Sequence, residues 1–540
     1  MTSRRIGAES LITPELARAL TEVSAEIQRQ IGLLINRRGE VCFAVVGDAR
    51  RLELPDLSAY RQGRDRLCGL RLVHTHLHGE GLDDDDLTDL VCLRLDAAAA
   101  IEVAEDGLPG PVHVARLLPA NEERRPWEIY PPTAVHHLDN DFGAQLVALE
   151  EEFARRRQPK AAGDLREGAI LVHVSSLATA AAEASLSELR DLARSAGIRV
   201  LDEVVQRRPL DPKYVMGKGR LQSTVVRAMQ LGAEVLVFDV NLSPSQVKFV
   251  AEFTDLKILD RTQVILDIFG QRAETREGKI QVELAQLRYL LPRLGAKHSA
   301  MSRLTGGVGG RGPGEPKLEI DRRRAESRIS LLQREVKKLG DRRRLRRQRR
   351  IERETPTVAI VGYTNAGKST LLNRLTRSAV TEQDVLFATL NPVSRRLRFP
   401  REREVIFTDT VGFIRQLPDE LKDAFQTTFE EIAPSSLLLH VVDASDPEVE
   451  QRFETVRRML AELEFDDKKA IVVLNKIDRC DAATVDGLAR QLDGVPISAL
   501  DPRTFAPLLE RIESALWVGG GRSAIPVLHD SAYSAEAAAG

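Results

Sequence analysis

The sequence predicts an α/β protein of several domains, at least two of which contain a parallel β-sheet. From residue 169 onward, short apolar segments alternate with amphipathic segments of helical spacing, which is the pattern of strand–helix–strand units. A second run of this kind follows residue 355, and its first strand leads through a glycine-bounded turn into a helix. A chain of 540 residues is also too long for a single hydrophobic core.

The composition is that of an ordinary globular protein. Hydrophobic residues make up 43% of the chain and charged residues 29%, and the formal net charge is −2. No apolar segment of signal-peptide length follows Met1, and no run of about 18 apolar residues occurs. We therefore expect a cytoplasmic protein without a membrane-inserted segment, part of which could associate with a membrane surface. We also expect a monomer. The cysteines lie too far apart to predict a disulfide framework or a zinc ribbon: Cys42, Cys68, Cys92 and Cys480.

Residues 1–160 predict a small α/β domain. Glu40–Asp48 and Leu70–His76 have the composition of β-strands. In the second strand His74 and His76 are two residues apart, so both imidazoles point to one face of the strand, as metal ligands require. The segment therefore contains a candidate metal site.

The same segment faintly resembles the JAMM metalloproteases, whose pattern joins two such histidines to a closing aspartate. Glu40 stands upstream, and Asp83 or Asp84 stands near the place of the aspartate. The serine expected between the histidines and that aspartate is not clearly present. A hydrolase-like zinc site is thus one interpretation, and a structural domain without metal is the stronger one.

Residues 165–275 predict a second α/β domain with a parallel sheet. The predicted strands are Ala169–Val174, Val200–Val205 and Val235–Phe238, and the predicted helices are Leu186–Ala196 and Leu221–Leu231. Between them, a flexible turn at Met216–Arg220 carries Lys218 and Arg220, which would suit a phosphate. An ordinary solvated loop is an equally good interpretation of this turn.

Residues 276–353 predict an antiparallel helical hairpin. Apolar residues recur every three, four or seven positions over Lys279–Leu291 and again over Leu318–Leu339. The glycine-rich segment Leu304–Gly314 separates the two helices and would form the tip. The second helix continues into Asp341–Arg350, where the arginines have almost no anion between them.

The arginine run of the second hairpin helix indicates nucleic-acid binding. So many cations repel one another unless a polyanion neutralises them, and nucleic-acid phosphate is the obvious candidate. The alternative is a solvated helix face, because charge runs often serve only solubility. The candidate RNA-binding residues are Lys218, Arg220, Arg311, Arg342, Arg343, Arg344, Arg346 and Arg347.

A phosphate-binding loop follows the hairpin, because Gly362–Ser369 matches G-x-x-x-x-G-K-[ST] at each fixed position. An apolar strand precedes this loop and a helix follows, so its backbone N–H groups converge on phosphate oxygens at the helix N-terminus. Lys368 adds a positive charge, and the Ser369 hydroxyl is a ligand for Mg²⁺. The residues predicted to hold the nucleoside triphosphate are Gly362, Tyr363, Thr364, Asn365, Ala366, Gly367, Lys368 and Ser369.

Two further segments have the order of the switches in a Ras-like nucleotide-binding domain. Thr389 lies in a loop from which it would reach Mg²⁺ when a γ-phosphate is present. The strand Val405–Thr408 delivers Asp409, which would hold Mg²⁺ through water, and Gly412, whose N–H would meet the γ-phosphate. The switch residues predicted to contact nucleotide are Phe387, Ala388, Thr389, Leu390, Asn391, Asp409, Thr410, Val411 and Gly412. The catalytic candidates are Lys368, Thr389 and Gly412, and the predicted Mg²⁺ ligands are Ser369 and Thr389.

The segment Asn475–Asp478 predicts guanine as the base. The Asp478 carboxylate can accept from both the N1–H and the exocyclic amine of guanine, a pairing that adenine cannot make. A backbone N–H in Ser498–Leu500 would meet guanine O6. The base-binding candidates are Asn475, Lys476, Ile477, Asp478, Ser498, Ala499 and Leu500. Residues 355–520 therefore predict a Ras-like P-loop domain that binds GTP and GDP.

With these motifs, the chain resembles the HflX family of translation-factor-related (TRAFAC) GTPases over about residues 168–520. The segments that match the family pattern are Gly362–Ser369, Phe387–Leu390, Asp409–Phe413, Asn475–Asp478, Met216–Gly219, Leu242–Gln246, Asp260–Thr262 and Gly306–Gly314. Residues 1–160 lie outside the usual family pattern. The resemblance implies a GTPase that binds ribosomal RNA of the large ribosomal subunit and splits or rescues stalled ribosomes under stress.

Phe413 occupies the place where many such GTPases carry a glutamine that orients the attacking water. A phenyl ring cannot orient water, so we expect slow intrinsic hydrolysis, with the missing group supplied by the ribosome, a rearranged switch or a cation. Asn365 stands where related GTPases with a non-polar residue after the glycine place a K⁺ ligand. K⁺ is therefore a candidate cofactor beside Mg²⁺, and a loop-stabilising role for Asn365 is the alternative.

Two classes of function remain open from the sequence. One is a GTPase that ribosomes stimulate, in which GTP orders the switches and fixes the hairpin against the large subunit. The other is a GTP-gated regulatory scaffold whose main partner is a protein bound through the N-terminal extension. The predicted domains are 1–160, 165–275, 276–353 and 355–520, followed by a disordered tail at 521–540.

Overall fold

The structure is a computed structural model that describes most of the chain. The described residues are 7, 10–55, 57, 60, 66–119, 121, 123, 125–138, 141–156, 167–176, 178–251, 253–293, 317–351, 355–376, 387, 393–399, 403–410, 412–415 and 432–517. The chain forms two compact units. These are Met1–Arg261 with Pro292–Asp321, and Thr262–Leu291 with Arg322–Gly540.

The first unit begins with a mixed β-sheet. Its elements are α1 (Pro14–Ile27), β1 (Ile31–Asn36), β2 (Val41–Val46), β3 (Leu70–His76), α2 (Asp84–Leu93), β4 (Ala97–Val103), β5 (Pro109–Leu117), β6 (Trp127–Ile129) and α3 (Phe142–Arg156). The strands lie in the order β2-β1-β3-β4-β5-β6. β3 and β4 run parallel, whereas the other neighbouring strands are antiparallel. All seven residues of β3 are buried, so both faces of the sheet are covered at this strand.

The second sheet of this unit is wholly parallel. Its elements are β7 (Gly168–Ser175), α4 (Thr179–Ser195), β8 (Arg199–Arg207), α5 (Lys218–Leu231), β9 (Val235–Phe238), α6 (Pro244–Ala251) and β10 (Lys257–Asp260). The strand order is β10-β9-β7-β8, as expected for successive β-α-β crossovers. At the carboxyl ends of its strands the buried Arg261 guanidinium lies 2.7 Å from both Glu188 and Asp239. These pairings compensate the charges that folding removes from water.

The prediction of a flexible turn at Lys218 and Arg220 is wrong. Both residues lie in the first turn of α5, because Gly217 adopts the extended conformation of an N-cap and the helix starts immediately after it. The Lys218 ammonium lies 5.8 Å from the centroid of the Phe253 ring. This contact is a cation–π interaction within the protein.

The second unit contains a six-stranded sheet and several helices. Its elements are α7 (Arg261–Arg272), α8 (Arg276–Leu290), α9 (Lys317–Ile351), β11 (Thr357–Gly362), α10 (Lys368–Thr376), β12 (Val393–Phe399), β13 (Arg403–Asp409), β14 (Leu437–Asp443), α11 (Val449–Glu462), β15 (Ala470–Asn475), α12 (Ala482–Leu492), β16 (Gly494–Pro496) and α13 (Ala506–Leu516). The strand order is β12-β13-β11-β14-β15-β16, and only β12 and β13 are antiparallel neighbours. The predicted α/β fold class is confirmed.

The predicted helical hairpin is formed by α8 and α9. Ile280 and Leu284 of α8 pack against Leu332 of α9, within a small apolar cluster. Glu283 pairs with Arg328 at 2.7 Å and Arg276 with Glu335 at 3.6 Å, an order that makes the helices antiparallel. The glycine-rich tip, Arg311 and the tail 521–540 lie outside the described residues. Among the helices that the structure describes, none is long and apolar enough to cross a membrane.

Candidate functional site

The candidate site lies where β11 meets α10. β11 ends at Gly362, the loop follows, and α10 begins at Lys368. Gly362 has a φ of +152°, and a Cβ on it would lie 2.2 Å from the Val441 carbonyl oxygen; Gly367 has a φ of +89°, and a Cβ on it would lie 2.2 Å from Asn475 Nδ2. Both positions therefore require glycine, and the two glycines determine the curvature of the loop.

Lys368 is buried at the centre of this loop. Its ammonium donates to the Tyr363 carbonyl oxygen at 2.8 Å. Burial lowers the pKa of Lys368 to about 8, an effect that the Asp409 carboxylate only partly opposes. Gly412 approaches closely, since a Cβ on it would lie 3.0 Å from the lysine Nζ and 2.8 Å from Thr364 Cγ2. The loop therefore presents a desolvated cation whose charge a bound phosphate would stabilise.

Binding of GDP to the nucleotide-free chain is expected to take up protons near pH 8. Phosphate oxygens beside Lys368 raise its pKa again, so the fraction of Lys368 that is neutral in the free chain becomes charged in the complex. The expected uptake is about half a proton per bound Mg·GDP at pH 8.0 and about a tenth at pH 7.0. Calorimetric titration in two buffers of different ionisation enthalpy measures it.

His440 cannot account for such an uptake. Burial lowers the pKa of this imidazole to about 3, so it is neutral at both pH values. An identical heat in the two buffers at pH 8.0 would therefore mean that Lys368 does not change its protonation on binding.

Ser369 and Asp409 lie at the predicted Mg²⁺ position of the site. The Ser369 hydroxyl donates to Asp409 Oδ2 at 2.6 Å, and the carboxylate is fully buried at the end of β13. A hydroxyl and a carboxylate side by side are hard oxygen donors, which fit Mg²⁺, and P-loop GTPases hold Mg²⁺ with these residue types. Thr389, the other predicted Mg²⁺ ligand, lies outside the described residues.

The segment after Asp409 is joined to the loop through its backbone. The Phe413 N–H donates to the Gly362 carbonyl at 3.1 Å, and the Thr364 N–H donates to the Phe413 carbonyl at 2.8 Å. The Phe413 ring itself is only 2% exposed. Its side chain is therefore a packing group, in agreement with the expectation that it does not orient water. Thr410 is also buried, and its hydroxyl donates to the Ile360 carbonyl.

The first switch is described only at Phe387. This ring is buried, with its centroid 4.5 Å from that of Phe269 on α7, so it packs in the protein and is not exposed to a ligand. Ala388, Leu390, Asn391 and Val411 lie outside the described residues. In the phosphate loop Asn365 is exposed with a φ of +62°, a conformation that asparagine tolerates better than most residues. Its predicted role toward K⁺ stays a prediction.

The base-binding segment is tied to the phosphate loop through Asn475. The Asn475 amide donates to the Ala366 carbonyl at 2.8 Å and accepts from the Ala499 N–H at 2.8 Å. The Ser498 hydroxyl donates to Asp478 Oδ1 at 2.6 Å, which orients this exposed carboxylate. The sequence did not indicate that two of the predicted donors are hydrogen-bonded within the protein: the Ala499 N–H donates to Asn475 Oδ1 and the Ser498 N–H to Thr504 Oγ1. Which backbone N–H of Ser498–Leu500 meets guanine O6 stays a prediction.

Asp443 is a site residue that the sequence interpretation also missed. Its carboxylate lies 2.7 Å from the Lys476 ammonium and holds that side chain beside the base-binding segment. The sequence could have indicated Asp443, because it stands at the carboxyl end of the buried strand β14 and ligands of parallel sheets bind at this edge. Ile477 begins the short turn that carries Asp478.

Three family models match the chain. They are described as "GTP-binding GTPase N-terminal" over residues 183–270, "GTP-binding GTPase Middle Region" over 272–350 and "50S ribosome-binding GTPase" over 357–476. The GTPase HflX of Lacrimispora saccharolytica is 46% identical over 354 residues, which cover 65% of this chain and 84% of that protein. The chain belongs to the HflX family. It is therefore a GTPase, which binds GTP and hydrolyses it.

Another curated relative and a solved structure are also similar to this chain. The HflX of Escherichia coli (strain K12) is 43% identical over 316 residues, covering 58% of this chain and 74% of that protein. A GTP-binding protein from Sulfolobus solfataricus, solved in complex with GDP, is 25% identical with a TM-score of 0.36, covering 65% of this chain and 98% of that chain. The HflX family models begin at residue 183, after the N-terminal sheet.

Proposed function

We propose that this HflX-family GTPase binds the large ribosomal subunit in its GTP-bound state and splits or rescues stalled ribosomes under stress. The observation that carries the proposal is the course of α9. This helix continues without interruption from the hairpin, where it packs on α8, through the arginine run to Ile351. Only five residues then separate it from β11, the strand that leads into the phosphate loop.

This arrangement couples the two predicted activities. Arg342, Arg343, Arg344, Arg346 and Arg347 lie on the last turns of α9, and their side chains are outside the described part of the chain. A cationic helix of this kind binds polyanions, and ribosomal RNA is the polyanion that the description of the matching GTPase model favours. Ordering of the switches by GTP would then change how firmly the adjoining helix is held.

Hydrolysis is proposed to be slow in the free protein and faster on the ribosome. The buried Phe413 ring supplies no group for the attacking water. Gly412 itself lies close to Lys368, since a Cβ on it would be 3.0 Å from the lysine Nζ, and its N–H would meet the γ-phosphate. Mg²⁺, held by Ser369 and Thr389, would neutralise charge on the phosphates, and K⁺ beside Asn365 would add to it. The ribosome, or a switch rearranged on it, would supply the water-orienting group.

Neutralising the five arginines of α9 is expected to weaken ribosome binding and to reduce its salt dependence. Each lost phosphate contact removes about 0.7 to 0.9 from the slope of log K against log salt, so the slope should fall by up to about four. Pelleting of ribosomes with the glutamine variant and a GTP analogue, over a series of salt concentrations, measures the slope. GDP affinity should stay unchanged.

A control neutralises three arginines elsewhere in the second unit, Arg490, Arg503 and Arg511, which have local acceptors. These changes should leave the salt slope as it is in the parent. Equal slopes for the α9 variant and the parent would identify the arginine run as a solvated face. The GTP-gated scaffold would be favoured if the chain did not pellet with ribosomes and instead bound a partner protein through residues 1–160.

A further inference from the structure

Three buried side chains with metal-binding chemistry meet in the N-terminal sheet. His74 and His76 lie on β3 and Asp86 lies on α2, with exposed fractions of 0%, 1% and 9%. The two Nε2 atoms are 3.0 Å apart, His74 Nε2 lies 3.0 Å from Asp86 Oδ1, and His76 Nε2 lies 3.5 Å from Asp86 Oδ2. Three potential ligand atoms therefore converge in a site shielded from solvent.

The local sequence explains this convergence. Thr75 alternates with the two histidines and points to the other face of the sheet, where its hydroxyl contacts Ser24 Oγ at 2.8 Å and accepts from the Ile31 N–H at 3.0 Å. On α2, Asp83 is the N-cap, and its side chain accepts from the Asp86 N–H while the Asp86 side chain accepts from the Asp83 N–H. This reciprocal cap holds the Asp86 carboxylate over β3.

The identity of the closing aspartate corrects the sequence interpretation. The sequence favours Asp83 or Asp84, but Asp83 is used as a helix cap and Asp86, one helical turn later, faces the histidines. Glu40 is not part of the group; its carboxylate accepts from the Asn36 side chain. The spacing from His76 to the aspartate is therefore set by the position of the cap.

The hydrogen-bond donors and acceptors around the two histidines favour a cation between these groups. His76 Nδ1 lies 3.2 Å from the Glu80 carbonyl, which can only accept, so Nδ1 carries a proton; in the neutral imidazole Nε2 then directs a lone pair toward Asp86. Both Asp86 oxygens are acceptors as well. A single proton on His74 Nε2 cannot form good hydrogen bonds to both His76 Nε2 and Asp86 Oδ1, each 3.0 Å away. A metal ion, by contrast, accepts a lone pair from each of the two imidazoles and from the carboxylate. Among the described residues His74 Nδ1 has no hydrogen-bond partner, so no hydrogen bond fixes the other tautomer.

The distances fit a bound metal ion. Ligands at about 2.0 to 2.1 Å from one ion lie about 3.0 Å apart in an octahedral arrangement and about 3.3 Å apart in a tetrahedral one. We propose that His74, His76 and Asp86 bind one first-row divalent transition-metal ion of the Zn²⁺ type. The Glu80 carbonyl and the Asp83 N–H orient the ligands from behind, as outer partners do in metal sites. Three protein ligands leave a coordination position for water or another small ligand.

The test uses the full-length chain saturated with Mg·GDP, so that the nucleotide site does not take up the added metal. Bound transition metal is removed with a chelator before Mg·GDP is added. Equilibrium dialysis against Zn²⁺ should then give one tightly bound ion per chain, and Co²⁺ should give visible ligand-field absorption. In His76→Gln and Asp86→Asn the dissociation constant for Zn²⁺ should rise about 100-fold or more, and the Co²⁺ absorption should be lost. Zn²⁺ should raise the Tm of the parent and not that of the variants.

The control is His113→Gln, which removes an imidazole from β5, two strands away from β3 in the same sheet, where it pairs with Glu102 at 2.6 Å. Its affinity for Zn²⁺ should equal that of the parent. Circular dichroism and the Tm without metal show that each variant is folded. Absence of stoichiometric binding to the parent, or equal affinities in parent, His76→Gln and Asp86→Asn, would overturn the proposal and leave a hydrogen-bonded structural triad.

Discussion

Replacing Lys368 with methionine or alanine is expected to abolish tight binding of GTP and GDP while the chain stays folded. The ammonium is buried, and it is held toward the loop by the Tyr363 carbonyl. A hydrogen bond to a charged group contributes about 1.5 to 3 kcal/mol, and two such bonds to phosphate oxygens correspond to a loss of affinity of about 10²- to 10⁴-fold. Displacement of a fluorescent GDP analogue measures the change.

Methionine is the more informative substitution because it keeps the length of the buried stem. At pH 7 the parent carries a charged lysine whose pKa burial has lowered, so the nucleotide-free methionine variant should be at least as stable as the parent. A Tm equal to or above that of the parent would exclude misfolding as the cause of lost binding. If Lys368→Met bound GDP as tightly as the parent, the assignment of the phosphate loop would be wrong.

Changing Asp478 to asparagine is expected to shift the base preference from guanine to xanthine. The carboxylate offers acceptors to the N1–H and the exocyclic amine of guanine, whereas an amide offers one acceptor and one donor. The loss of two charge-assisted hydrogen bonds lowers GTP affinity by about 10²- to 10⁴-fold. Xanthosine nucleotides, which carry an oxygen in place of the amine, should bind better to the variant than to the parent. Competition between the two nucleotides measures the preference.

Ser498→Ala is the matched control for this experiment. It removes the hydroxyl that donates to Asp478 Oδ1 but leaves the carboxylate in place. GTP affinity should fall less than in Asp478→Asn, and guanine should remain preferred. An unchanged ratio of GTP to xanthosine triphosphate affinity in Asp478→Asn would show that another group recognises the base.

The nucleotide motifs could be predicted from the sequence because their geometry is local. In Gly362–Ser369 the glycines, the lysine and the serine act through a backbone turn that a strand and a helix hold, and these elements are adjacent in the chain. The α8–α9 hairpin was equally predictable, since its apolar residues repeat with the helical period. Such features need no knowledge of distant segments.

Other features were decided only by the tertiary structure, because they depend on which distant segments come together. Asn475 and Ala366 are 109 residues apart in the chain, and their hydrogen bond joins the base-binding segment to the phosphate loop. Phe387 lies in a switch motif but packs against Phe269. Asp86 meets His74 and His76 because a helix cap three residues earlier turns its carboxylate toward β3. The sequence determined which side chains carry the chemistry, whereas packing across the sheets determined their partners.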